Sequence, residues 1–214
     1  MNTTTTRITI TLATKVTILR LLGVPVFILL LIYYLMDLAE GRESELMRWA
    51  ALVVFTAVAL TDALDGYLAR SRNEVTHLGK ILDPIADKAL LLSGLILLTR
   101  PSLAALSPHI PIWFTLLVIS RDVVLLLGSV VIHLIAGAVE VRPRIAGKVA
   151  TFFQMVTIVW VLIGGAPGPF DVWIGLAGFF TFLSAILYVL DGIRQLEKSG
   201  LARHPHPPGI HPHV

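Results

Sequence analysis

The amino-acid sequence predicts an all-α membrane protein, a bundle of six transmembrane helices preceded by a short helix at the membrane interface. Three observations predict this fold class. Of the 214 residues, 56% are hydrophobic and only 14% are charged, whereas soluble domains carry about 25% charged residues. The apolar residues also occur in long blocks, and the Lys and Arg residues between these blocks are distributed asymmetrically.

Six stretches are long and apolar enough, or nearly so, to cross a membrane, because ~20 apolar residues in a helix span the hydrocarbon core. They cover residues 16–38, 49–69, 80–98, 111–136, 148–165 and 172–190. Gly41–Ser44 separates the first two stretches, and Gly164–Pro169 is expected to form a tight outside turn before the last one. The sequence contains no cysteine, which excludes disulfides and thiolate chemistry.

The first stretch differs from a secretory signal peptide. Its apolar segment is long, it contains Arg20, and no small-residue cleavage pattern follows it. We therefore expect it to remain as the first span, preceded by an interfacial helix over Arg7–Thr14. The second stretch is apolar only over Trp49–Thr61, and the third becomes apolar at Ala89.

The last three stretches complete the bundle. The fourth carries Arg121 and Asp122 near its middle, whereas Val149–Phe170 and Val172–Leu190 contain no charged residue. We expect one integral membrane domain over residues 1–200 and a disordered tail over residues 201–214. This tail is rich in Pro and His and cannot form a packed core; metal binding by its histidines is the less favoured alternative.

The distribution of Lys and Arg predicts the orientation. With the N-terminus inside, twelve of the seventeen Lys and Arg residues fall in inside segments and three in outside loops. The positive-inside rule then places both chain ends in the cytoplasm. The net charge is +3 without a dense basic cluster, which favours contact with anionic lipid over nucleic acid.

Four aspartates lie where the second span meets the third. At about 100° per residue, Asp62 and Asp65 share one helix face, and Asp83 and Asp87 are i, i+4 neighbours. A nine-residue link from Ser71 to Gly79 is expected to make the two helices antiparallel neighbours. The four carboxylates should therefore converge just inside the cytoplasmic boundary.

Four carboxylates that converge at membrane depth repel one another and require positive partners. A set of ligands without His or Cys favours Mg²⁺ or Mn²⁺ over zinc, and two such ions could bind both oxygens of a phosphoryl displacement. Gly66 would let a ligand approach the backbone, and Arg70 could bind a diphosphate with paired hydrogen bonds. Interhelical salt bridges are a poorer explanation, because one Arg lies near four Asp.

These residues form the pattern D-x2-D-G-x2-A-R-x8-G-x3-D-x3-D, which resembles the signature of the CDP-alcohol phosphotransferase family. Its fixed positions are Asp62, Asp65, Gly66, Ala69, Arg70, Gly79, Asp83 and Asp87. Three further segments, Thr14–Pro25, Ile119–Asp122 and Gly147–Met155, resemble the phosphatidylglycerophosphate synthase branch, although Thr14 replaces the usual Asn. The resemblance covers residues 13 to 160.

The resemblance implies a CDP-alcohol phosphotransferase-like bundle, usually a homodimer, that transfers a substituted phosphate from a CDP-linked donor to an alcohol and releases CMP. By similarity, the ligands of two divalent ions are Asp62, Asp65, Asp83 and Asp87. Asp87 would also act as the catalytic base. The implied CDP-binding residues are Gly66 and Arg70, with Thr17 and Thr76.

The identity of the acceptor depends on the remaining cations. Arg121 lies inside a span, where an unpaired cation is costly. It either pairs with Asp122 or meets an acceptor phosphate together with other cations. The other candidate acceptor-binding residues are Arg144, Lys148 and Arg194.

We expect CDP-diacylglycerol as donor and glycerol 3-phosphate as acceptor, in a bacterial inner membrane with the active site facing the cytoplasm. Phosphatidylglycerol, which would give cardiolipin, is the second choice, because Val141–Arg144 resembles some cardiolipin synthases. Inositol phosphate and serine are less favoured acceptors. A divalent-cation transporter is an alternative from another class, disfavoured because the acids gather at one face and no internal repeat is visible.

Overall fold

A computed structural model of the chain describes residues 12–42, 44–72, 77–99, 106–136 and 145–202, and the side chains of residues 21–42, 44–61, 85–99, 106–134 and 145–195. Within these ranges the regular secondary structure is entirely α-helical, which confirms the predicted all-α fold. The helices are α1 (Leu12–Ala39), α2 (Glu45–Arg72), α3 (His77–Leu98), α4 (Ile112–Ala136), α5 (Ile145–Ile163) and α6 (Pro167–Ala202).

Each predicted stretch coincides with one helix apart from residues 111, 164 and 165, and most helices extend beyond their stretch at one end or both. α2 and α3 leave only residues 73–76 between them, so the predicted nine-residue link from Ser71 to Gly79 is wrong. The polar residues on either side of residues 73–76 continue the helices. Within the predicted interfacial helix, residues 12–14 belong to α1, and the remainder lies outside the described residues.

The second half of the chain shows similar shifts of boundary. α6 begins at Pro167, so the predicted turn over residues 164–169 is shorter than expected; proline is well tolerated in the first turn of a helix. α6 continues to Ala202, two residues into the predicted tail. Residues 203–214 lie outside the described part of the chain.

Four helices contain segments long and apolar enough to cross a membrane. These segments are Leu21–Ala39, Ile112–Leu134, Ile145–Ile163 and Pro167–Gln195. Large apolar side chains are exposed along all four segments. On α4, for example, the exposed side chains include Val123, Leu127, Val131 and Leu134. Soluble proteins rarely expose apolar surface of this extent, so the protein is a membrane protein. Crossing by α2 and α3 remains a prediction.

The chain forms two compact units. Unit 1 comprises α1, α2 and α3 together with residues 155–171. α1 packs against both α2 and α3, and α2 contacts α3. The Phe27 and Phe55 rings lie 5.2 Å apart in its core. The buried aliphatic side chains of the same unit include Leu31, Leu91, Leu95, Ile158 and Leu162.

Two helices of unit 1 end on a glycine with positive φ. Gly41 follows α1 with φ 73°, and Gly164 follows α5 with φ 75°. Beyond them, the Arg42 N–H donates to the Asp37 carbonyl at 2.8 Å, and the Gly165 N–H donates to the Trp160 carbonyl at 3.0 Å. Such left-handed caps satisfy carbonyls at the end of a helix. They confirm the chain breaks predicted at these two glycines.

Unit 2 comprises residues 113–154 and the chain from Val172 onward, and therefore contains most of α4, the first half of α5 and most of α6. The Phe153 and Phe180 rings stack at 5.6 Å. Polar side chains also join its helices: Gln154 Nε2 donates to Thr181 Oγ1 at 2.9 Å, and the Tyr188 hydroxyl donates to the Leu125 carbonyl at 3.0 Å. Hydrogen bonds of this kind help to associate helices in lipid.

Candidate active site

The α2 half of the acidic motif continues the buried face of that helix. Ala51, Leu52, Phe55 and Val58 are buried, and at about 100° per residue they define one inward-facing arc. The motif positions 62, 65, 66, 69 and 70 fall within about 70° of the centre of this arc. The motif is therefore placed on the side of α2 that packs into unit 1.

The motif positions on α3 also lie on the buried face of their helix. Positions 86, 90, 91, 94, 95 and 98 are buried, whereas Ile85 and Ile96 are exposed on the opposite side. Positions 83 and 87 fall within about 35° of the centre of the buried arc. Asp87 itself is half-buried. Both aspartate positions of α3 are therefore on its inward face.

The chain connection keeps the two halves of the motif at one end of unit 1. α2 ends at Arg72 and α3 begins at His77. The five Cα–Cα steps from Arg72 to His77 limit the distance between these two residues to about 19 Å. The motif occupies the last third of α2 and the first half of α3. The predicted convergence of carboxylates agrees with this backbone placement but is not tested by it.

Several predicted site residues are placed only by their backbone. The side chains of Thr17 on α1, of Asp62, Asp65 and Arg70 on α2, and of Asp83 on α3 lie outside the described part of the structure, as do Thr76 and Arg144 entirely. Gly66 belongs to α2. The roles assigned to these residues therefore remain predictions.

Arg121 on α4 has two described polar partners. Its Nη1 donates to Asp122 Oδ1 at 2.8 Å, and its Nη2 donates to Ser184 Oγ at 2.9 Å. The Arg121 and Asp122 side chains are only 11% and 15% exposed. The pairing with Asp122 that the sequence offered as one alternative is therefore present.

Gly147 on α5 lies against the same guanidinium. A Cβ at this position would be 3.0 Å from Arg121 Nη2 and 3.4 Å from Ser184 Oγ. Residues of α4, α5 and α6 thus meet around one cation, and glycine leaves room for it. We call Arg121, Asp122, Gly147 and Ser184 the arginine cluster.

Ser184 was not among the residues predicted from the sequence. It contacts a residue 63 positions earlier, and serine is unremarkable in a membrane helix. One signal was available: Thr181, Ser184 and Tyr188 recur at helical spacing along α6, as expected for a face that packs against other helices. The predicted cations Lys148 and Arg194 are exposed on α5 and α6.

The fold and these sites define an integral membrane protein with an aspartate motif on a helical hairpin and a buried arginine among three other helices. Comparison with known proteins identifies its class. The family model of CDP-alcohol phosphatidyltransferase matches residues 10–192. The chain belongs to this family, as the motif resemblance predicts, and is accordingly a transferase of phospholipid biosynthesis.

Individual relatives are similar over nearly the whole chain. A CDP-diacylglycerol–glycerol-3-phosphate 3-phosphatidyltransferase of Bacillus subtilis is 33% identical over 198 residues, covering 88% of this chain and 98% of the relative. A probable phosphatidylglycerophosphate synthase of Mycobacterium tuberculosis is 34% identical, covering 86% and 83%. A CMP-forming cardiolipin synthase of Streptomyces coelicolor is 32% identical, covering 86% and 82%.

Proposed function

We propose that the chain transfers the phosphatidyl group from CDP-diacylglycerol to glycerol 3-phosphate, with release of CMP. The observation that carries this proposal is the similarity to the Bacillus subtilis enzyme of that name, which extends over 98% of the relative. An Escherichia coli enzyme of the same name is 29% identical over 193 residues. The bacterial relatives and the Lys and Arg distribution support an inner-membrane location with the active site facing the cytoplasm.

The acidic motif fits two divalent cations. Its four aspartates are hard oxygen donors, the ligand type of Mg²⁺ and Mn²⁺, and their positions continue the inward faces of two helices in contact. The residues that would hold the ions are Asp62, Asp65, Asp83 and Asp87. When bound, the ions supply Lewis-acid stabilisation of the charge on the diphosphate.

The motif residues then have distinct tasks. Arg70 donates paired hydrogen bonds to the diphosphate, and Gly66 allows it to approach the backbone; Thr17 and Thr76 complete the cytidine diphosphate site. Asp87 accepts the proton of the acceptor hydroxyl as its oxygen attacks the lipid-bearing phosphorus. The bond from that phosphorus to the oxygen of CMP breaks, and CMP leaves. The acyl chains remain in the bilayer throughout.

Glycerol 3-phosphate differs from a neutral alcohol by its phosphate, which needs cations of its own. Arg121 is proposed to bind it, because its guanidinium is held in place by two partners. The further cations proposed to contribute are Arg144, Lys148 and Arg194. Phosphatidylglycerol is the second candidate acceptor, favoured by the 32% identity with the Streptomyces coelicolor cardiolipin synthase.

The acceptor is tested with purified protein, CDP-diacylglycerol and either Mg²⁺ or Mn²⁺, with glycerol 3-phosphate and phosphatidylglycerol supplied separately. We expect CMP release and formation of phosphatidylglycerol phosphate with glycerol 3-phosphate. A chelator should abolish release, and added Mg²⁺ or Mn²⁺ should restore it. CMP release only with phosphatidylglycerol would contradict the proposal, and uptake of Mn²⁺ into proteoliposomes without CDP-lipid would favour a transporter.

We further propose that residues 1–200 form a single catalytic domain, that the predicted tail is disordered beyond Ala202, where α6 ends, and that the protein is a homodimer. The family resemblance supports the homodimer. Native mass spectrometry of the detergent-solubilised protein should show two chains per complex. A monomer that retains full CMP release would contradict the dimer.

A further inference from the structure

Ser184 uses its hydroxyl differently from its helical neighbours in unit 2. Helical Ser and Thr commonly donate to a carbonyl three or four residues earlier. Thr151 does so to Gly147 at 3.1 Å, and Thr181 does so to Ala177 at 2.7 Å. Ser184, only 5% exposed, instead accepts from Arg121 Nη2, and within the described residues its own proton has no acceptor.

The arginine cluster therefore has more donors than acceptors. Besides the Ser184 proton, Arg121 Nε is buried without a hydrogen-bond partner in the described part of the chain. The only carboxylate paired with this guanidinium among the described side chains is that of Asp122, at Nη1. Buried donors without acceptors are costly. An anionic oxygen is the ligand that would satisfy both.

Gly147 on α5 lies next to the Arg121 guanidinium and the Ser184 hydroxyl. Any side chain there would begin 3.0 Å from Arg121 Nη2, which is tighter than ordinary van der Waals contact, and 3.4 Å from Ser184 Oγ. Glycine therefore permits the guanidinium and the hydroxyl to lie next to each other.

On the basis of the proposed function, we propose that Ser184 is a specificity-determining residue for the acceptor. Its oxygen accepts a hydrogen bond from Arg121 Nη2, and its O–H donates to the acceptor phosphate. The ligand chemistry recognised is a phosphate ester of a small alcohol. A neutral alcohol offers no anionic oxygen to these donors. Ser184 thus contributes to the choice of acceptor and not to donor binding.

The test compares the Michaelis constants of the two substrates in Ser184→Ala. Loss of a hydrogen bond to a charged group should raise KM for glycerol 3-phosphate on the order of tenfold. KM for CDP-diacylglycerol and kcat should change less than about twofold. Ser129→Ala is the matched control, because the Ser129 hydroxyl on α4 donates to the Leu126 carbonyl and has no proposed role.

A purely structural tie between α4 and α6 predicts a different result. Equal shifts of both Michaelis constants, or no shift, would overturn the proposal. Ser184→Cys provides a second variant of nearly equal size with a much weaker hydrogen bond, and it decides the question by the same criterion if the alanine variant does not fold. The wild-type protein, assayed with each acceptor, tests the proposed function separately. If the wild type uses glycerol 3-phosphate but the Ser184 variants have wild-type Michaelis constants, only the role of Ser184 is refuted.

Discussion

Substitution of Gly23 by alanine should disturb the α1–α2 contact that supports the acidic motif. A Cβ at Gly23 would lie 2.5 Å from Val58 Cγ2 and 3.8 Å from Val58 Cβ. Real carbon contacts are about 3.5–4.0 Å, so one of the helices must shift by about 1 Å. Val58 cannot rotate away easily, because a β-branched side chain has one strongly preferred rotamer in a helix.

The cost can be bounded from these distances. Forcing a methyl into a packed core costs about 1–3 kcal/mol, and replacing a helical glycine with alanine returns about 0.5–1 kcal/mol. Taking the middle of each range, we expect a net loss of about 1 kcal/mol, or about 2–4 °C in apparent Tm for a chain of this size. Position 62 lies one helical turn beyond Val58 on the same face, so the shift should also reduce CMP release; misplacement by 1 Å can cost up to about 100-fold.

The assay combines thermal unfolding in detergent with CMP release for Gly23→Ala, Val58→Ala and the double variant. Removal of Cγ2 leaves the Val58 Cβ at an ordinary 3.8 Å from the new methyl, so the double variant should be more stable than the sum of single effects predicts. Gly175→Ala on α6, where a Cβ meets nothing within 4 Å, is the control. A Gly23→Ala protein as stable as wild type, or additive losses in the double variant, would refute the reasoning.

Three further substitutions test other parts of the molecule. Asp87→Asn should bind CDP-diacylglycerol in a binding titration yet lose about 100-fold or more in turnover, because an amide cannot accept the hydroxyl proton; full activity would remove Asp87 as the base. Arg121→Ala should raise KM for glycerol 3-phosphate more than KM for CDP-diacylglycerol, and equal effects would indicate a structural role. Gly164→Ala places a Cβ at φ 75° and 3.1 Å from Arg48 Nη1, so the apparent Tm should fall, with a backbone cost of about 1–2 kcal/mol, while activity per folded molecule is unchanged; an unchanged Tm would mean that the turn relaxes.

The positions of the six helices in the described part of the chain followed from the sequence because membrane thickness fixes the length of an apolar stretch. The helix ends did not follow. α2 extends to Arg72 and α3 begins at His77, where the residues are polar. The apolar composition of a stretch indicates how far the helix contacts lipid. The backbone hydrogen bonds of a helix can continue beyond that point into water or the headgroup region. The boundaries predicted from apolar composition are therefore too short at these two helix ends.

The two parts of the candidate site were predictable to different degrees. The motif positions on α2 and α3 fall on the inward faces because helical periodicity connects residues within one element, and this relation is readable from sequence. Contacts of Arg121 were only partly readable. Asp122 is its neighbour in the chain, but Ser184 and Gly147 reach it through the packing of three helices, which no local pattern specifies.

The ion pair of Arg121 with Asp122 and the proposed binding of an acceptor phosphate are compatible. An isolated arginine inside a membrane span costs at least about 2.5 kcal/mol, so a protein that needs this cation for an anionic substrate must neutralise it before the substrate binds. Asp122 does so at Nη1. Ser184 accepts from Nη2 without adding a carboxylate, and in the described part of the chain Nε has no hydrogen-bond partner. A second carboxylate in place of Ser184 would repel the acceptor phosphate, so a neutral hydroxyl is the side chain that both positions the guanidinium and preserves its attraction for an anion.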